Sequence, residues 1–133
     1  MTTEGVVAEY SLSASTSLGG IANGPDGRIW FTESSVSKIG AITPQGAITE
    51  FAVPVSDEPL GAITDGPDGA LWFTEPYVDR IGRMTTSGQV KEFALSTHRS
   101  NPAAITEGPD GNLWFTEYNI NKVERMTPEG RLQ

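Results

Sequence analysis

One tetrapeptide constrains this chain more than any other feature. Gly24-Pro25-Asp26-Gly27, Gly66-Pro67-Asp68-Gly69 and Gly108-Pro109-Asp110-Gly111 stand at an unbroken interval of 42 residues. The same interval relates Ile29-Trp30-Phe31-Thr32-Glu33, Leu71-Trp72-Phe73-Thr74-Glu75 and Leu113-Trp114-Phe115-Thr116-Glu117. One structural unit is therefore repeated three times, and each copy must bury its apolar surface against its neighbours.

The middle copy shows how the unit folds. Gly66-Pro67-Asp68-Gly69 is a turn, because proline presets φ, aspartate bonds the nearby backbone and glycine accepts a positive φ. The flanking runs, Gly61 to Thr64 and Ala70 to Glu75, read as an antiparallel pair. A second pair follows, Arg80 to Thr85 and Gln89 to Leu95, joined by Thr86-Ser87-Gly88. Four strands in a meander, repeated every 40 to 45 residues or so, predict an all-β chain of three propeller blades. The blades span about residues 19–54, 60–96 and 102–133. A helical solenoid is excluded, since no 3.6-residue periodicity runs through the repeat. Trp30, Trp72 and Trp114, one per blade, are assigned to the inter-blade layers; the other reading open to them is a ligand site.

The phase at either end of the chain adds an expectation about assembly. Thr3 to Tyr10 matches Pro44 to Phe51, so residues 6–12 read as the fourth, outermost strand of a blade. Gly130-Arg131-Leu132-Gln133 only begins such a strand. Three blades cover part of a circle and leave two apolar faces uncovered, a surface that invites association. The reading is a cyclic homo-oligomer closed by strand exchange. Val6, Val7, Tyr10 and Leu12 of one copy would complete the third blade of the next, beside Lys122 to Thr127, displacing the stub that follows Thr127. A dimer with six blades is favoured and a trimer with nine comes next.

Composition narrows the partners. The net charge is −8 with nine Lys plus Arg among 133 residues, which argues against nucleic acid or an anionic membrane surface. No apolar run approaches the roughly 18 residues that a membrane span requires. Met1-Thr2-Thr3-Glu4 is neither basic nor followed by an apolar stretch, so no signal peptide is read there. Cysteine is absent, which removes disulfides, thiolate nucleophiles and cysteine-based zinc sites and leaves the compartment open.

The run from Ala62 through Glu75, followed by Arg80-Ile81-Gly82-Arg83-Met84-Thr85, resembles the blades of the streptogramin B lyase (virginiamycin B lyase) family. The resemblance covers nearly the whole chain. It implies a seven-bladed propeller which, with Mg²⁺, opens a cyclic depsipeptide by elimination. It also implies catalytic histidines at the start of an inner strand, with a glutamate about fourteen residues later. The positions equivalent to the histidine are Gly19, Gly61 and Ala103, and none carries histidine. Glu33, Glu75 and Glu117 match the glutamate. The single histidine, His98, falls in an inter-blade loop.

Three functional readings are open. The first is a self-assembling propeller module without catalysis and with no required cofactor. A second is a Mg²⁺-dependent lyase acting on a cyclic peptide lactone with His98 as base. In the third, Glu33, Glu75 and Glu117 ring one opening and capture a cation or small ligand, unless Lys38, Arg80 and Lys122, each five residues on, neutralise them.

Overall fold

The computed structural model describes residues 5, 7–12, 17–54 and 59–133; Val6 of the expected closing strand lies outside them. The first repeat forms β1 (Leu18–Asn23), β2 (Ile29–Glu33), β3 (Lys38–Ile42) and β4 (Ile48–Ala52). The second forms β5 (Ile63–Asp65), β6 (Leu71–Glu75), β7 (Arg80–Met84) and β8 (Val90–Ala94). The third forms β9 (Pro102–Glu107), β10 (Leu113–Glu117) and β11 (Lys122–Met126). Each repeat is an antiparallel meander with its strands in sequence order. The third sheet has three strands, and Leu132 adds a single bridge to Met126 where Val90 faces Met84 in the second blade. No helix among the described residues is long and apolar enough to cross a membrane.

The turn aspartate has a second task beyond the turn. Asp26, Asp68 and Asp110 accept a hydrogen bond from the indole Nε1 of Trp30, Trp72 and Trp114 at 3.1, 3.0 and 2.9 Å. Their other oxygens pair with Arg28, Arg83 and Arg125 at 2.7, 2.7 and 2.8 Å. Burial pushes the Asp68 carboxyl up, but the Trp72 and Arg83 bonds outweigh it and hold the group below the usual carboxylate range. Asp68→Ala orphans the Trp72 N–H and is expected to cost about 1–3 kcal/mol in urea unfolding. A cost indistinguishable from zero would remove this role.

The core lies between sheets. Trp30, Ile39, Ala41 and Val53 of the first blade pack on Leu60, Ile63, Leu71, Phe73 and Met84 of the second. Trp72, Ile81 and Leu95 pack in the same way on Ile105, Leu113, Phe115 and Met126 of the third. Strand alternation explains the sorting: on each second strand, Trp and Thr face the following blade while Phe and Glu face the preceding one.

Two further contacts tie neighbouring blades. Trp30 stacks on Phe51 with ring centres 5.4 Å apart, and Trp72 on Phe93 at 5.6 Å. Phe51 and Phe93 then lie over Gly88 and Gly130 of the next blade, whose φ of +95° and +88° suits glycine and whose missing Cβ leaves room for the ring. The Thr of the motif is a clamp. Thr74 Oγ1 accepts from Ala62 N at 2.9 Å in its own blade and donates to Ala103 O of the next at 2.9 Å. Thr32 bonds Gly20 N and Gly61 O likewise, both at 2.8 Å.

The outer faces carry the same parts without their partners. Trp114 is half-buried and lines an open apolar hollow with Ile105, Phe115 and Val123. At the other end, Leu18, Ile21, Phe31, Ile42 and Ile48 line a cavity of about 300 Å³ that Tyr10 and Leu12 border. Residues 7–12 form no strand in the single chain. Tyr10 nonetheless lies against Gly46, as Phe51 lies against Gly88.

Candidate functional site

Glu33, Glu75 and Glu117 end the second strand of each blade, and each is only 1% exposed. They are directly opposite Lys38, Arg80 and Lys122 in register, as the hairpin spacing implies. Ion pairing does not follow that register. Arg80 reaches Glu92 instead, at 3.6 Å, and both oxygens of Glu75 and of Glu117 lack a hydrogen-bond partner. Glu33 Oε2 and Glu92 Oε2 are unpartnered as well.

A second carboxyl lies beside each glutamate. Glu50 and Glu92 sit on β4 and β8 opposite Gly40 and Gly82, and the bare backbone at those glycines opens the path between the two acids. A Cβ at Gly82 would strike the Phe73 ring and crowd the Glu75 carboxyl. Burial, then the neighbouring Glu92, pushes Glu75 up to about 9, with Arg80 opposing. Burial and Glu50 raise Glu33 to about 7. Burial and Glu124 raise Glu117 to about 7; the nearby Ser100 hydroxyl and Lys122 pull the other way. Two carboxyls that cannot both ionise share a proton, and one O–H then satisfies an otherwise orphaned acceptor.

The inner strand meets this site one residue away from the simple hairpin count. That count places Gly61 opposite Glu75, and by repetition Gly19 and Ala103 opposite Glu33 and Glu117. In the structure Leu18 faces Glu33 and Pro102 faces Glu117, with a register shift before Ile21 and Ile105. The shift is a β-bulge: Gly20 N and Ala104 N bond the clamp threonine's hydroxyl in place of a strand carbonyl.

The donor set does not fit the Mg²⁺ that the resemblance implies. Gly19 and Gly61 have no space for a Cβ, because Thr32 Oγ1 and Thr74 Oγ1 occupy it. His98 is exposed in its loop, and among the described residues no three His, Asp or Glu side chains gather into a metal site. The clamp threonines and the partner acids Glu50 and Glu92 escaped the reading of the sequence. Their signal was present, since both sets recur at 42 residues on alternating positions that a strand turns inward.

The model of the virginiamycin B lyase family matches residues 1–133. The chain belongs to that family. A solved virginiamycin B lyase from Staphylococcus aureus superposes with a TM-score of 0.95 at 43% identity, over 99% of this chain and 45% of that one. A catalytically inactive variant of the Staphylococcus aureus lyase, solved with quinupristin, gives 0.95 at 41% identity, over 100% of this chain and 46% of that one. A virginiamycin B lyase from Bordetella parapertussis is 42% identical over 40 residues, 30% of this chain and 13% of that protein. The chain spans less than half the length of the solved lyases it matches.

Proposed function

We propose that this 133-residue chain is a self-assembling propeller module with no catalytic centre of its own, closing head-to-tail with further copies of itself. The observation that carries the reading is a divided stacking pair. Two inter-blade layers each hold a Trp stacked on an aromatic that rests on the next blade's glycine turn. Among the described residues, Trp114 has no aromatic stacked on it, and Tyr10, resting on Gly46, has no Trp. In a head-to-tail dimer, Tyr10 of one copy stacks on Trp114 of the next and residues 7–12 run beside β11. Thr116 Oγ1, which accepts from Ala104 N at 3.1 Å, then donates across the junction as Thr32 and Thr74 do within the chain.

Such a contact is heterologous, and it closes a ring of six blades from two copies or nine from three. Tyr10→Glu tests it, because Tyr10 lies 54% exposed outside the sheets and its loss leaves the blades intact. The variant is expected to associate at least ~30-fold more weakly than the parent in sedimentation velocity, the effect of losing an interface anchor. Equal association of the two would overturn the reading. The absence of catalysis is checked by mass spectrometry of a type B streptogramin after incubation with protein and Mg²⁺, where a linearised product would contradict it.

A further inference from the structure

The third blade breaks the repeat at one inward position. Glu124 faces Phe115 on the neighbouring strand, where the first two blades set Gly40 against Phe31 and Gly82 against Phe73. In those blades the path over the glycine joins one glutamate to another. In the third, Glu124 places a carboxyl in that path beside Glu117, which is 1% exposed and has both oxygens without a hydrogen-bond partner. The Ser100 hydroxyl lies near Glu117, but its Oγ donates to Asp79 at 3.4 Å.

A third carboxylate arrives with the neighbouring copy, so a site at this position rests on the head-to-tail reading. Glu9 precedes Tyr10 as Glu50 precedes Phe51 and Glu92 precedes Phe93. Glu50 and Glu92 stand opposite Gly40 and Gly82. The same register across the junction sets Glu9 of the next copy opposite Glu124. Three acids then occupy three adjacent strands where the other blades hold two. Two cations stand on β11, and Arg125 is engaged with Asp110 at 2.8 Å, which leaves Lys122, the counterpart of the Arg80 that pairs with Glu92. Ionised carboxylates this close repel strongly in a partly buried setting unless a countercharge enters.

We propose that the junction between two copies is a calcium site built from Glu117 and Glu124 of one copy and Glu9 of the next. All its ligands are carboxylate oxygens, the donor type of a hard divalent cation, and Ca²⁺ tolerates the irregular geometry of three strands better than Mg²⁺. The site is incomplete within one chain, so metal binding and ring closure are coupled. Calcium that binds only the assembled form tightens assembly at each junction by a factor of one plus the ratio of free calcium to the site's Kd.

Sedimentation velocity of the full chain in Ca²⁺ and in EDTA tests the site, with Glu124→Gly as the second protein. At a Ca²⁺ concentration ten times the site's Kd, each of the two junctions of a six-bladed dimer contributes about an 11-fold gain, so the parent's dissociation constant is expected to fall ~100-fold relative to EDTA. Glu124→Gly restores the two-acid pattern of the other blades and is expected to assemble in EDTA without responding to calcium. A parent that assembles equally in both buffers, or one that lowering the pH tightens and calcium does not, overturns the calcium site and leaves the head-to-tail reading standing. Parent and variant both monomeric in every buffer overturn that reading and the site with it.

Discussion

Trp72→Ala is expected to lower the unfolding free energy by about 3–5 kcal/mol, measured by urea titration at a concentration where the chain is monomeric. Trp72 is fully buried between the second and third blades, stacks on Phe93 and donates to Asp68. Its removal leaves a cavity, an unstacked ring and an Asp68 oxygen without its indole donor together. Trp114→Ala is the internal control. The same residue at the same repeat position, half-buried on an open face, is expected to cost well under half as much. Equal losses at the two sites would mean that the blades are stabilised internally and that the inter-blade layers contribute little.

Glu75→Gln is expected to flatten the pH dependence of stability. The Glu75 carboxyl is raised from an ordinary 4.5 to about 9, so the folded chain binds a proton there that the unfolded chain releases. The stability from that proton is fully present below about 4.5 and drains away as pH rises toward 9. Glu33 and Glu117, each raised to about 7, add losses that are complete at lower pH. Glutamine keeps the shape and stays neutral. The parent should therefore match the variant near pH 4.5 and fall behind it by about 1–3 kcal/mol near pH 9, the cost of leaving a buried polar group unsatisfied. Thermal unfolding across that range reads the difference, and parallel profiles would contradict a proton held between Glu75 and Glu92.

The fold was legible because turns and repeats speak directly through residue type. Pro67 and Gly69 dictate the hairpin, the 42-residue interval dictates the stacking, and alternation along Leu71 to Glu75 dictates which face each side chain takes. The site was legible only in part. Hairpin spacing places Arg80 beside Glu75, and the strands have that register, but Arg80 turns to the more exposed Glu92 and leaves Glu75 without an ion pair. A long flexible side chain chooses among acids by solvation, which strand register does not encode. The bulge that moves Leu18 and Pro102 opposite the glutamates was hidden for a related reason. It depends on a threonine hydroxyl replacing a backbone acceptor, and Thr74 reads in sequence as an ordinary strand residue.

The inter-blade chemistry also explains why the motif tolerates so little variation between copies. Trp, Phe, Thr and Glu of one strand each answer to a different neighbour: Trp72 to the turn aspartate and the next blade, Phe73 to the preceding blade, Thr74 to two backbones, and Glu75 to a second acid. Variation collects in the connections between second and third strands, Ser34-Ser35, Pro76-Tyr77 and Tyr118-Asn119. Tyr77 and Tyr118 are exposed there.

The molar mass of the parent chain in solution tests the central claim most directly. Light scattering behind size exclusion at micromolar concentration is predicted to return twice the 14.2 kDa chain mass, with three times that mass for the larger ring. A compact species of 14.2 kDa, unchanged on concentration, would contradict the assembly of these blades into a ring.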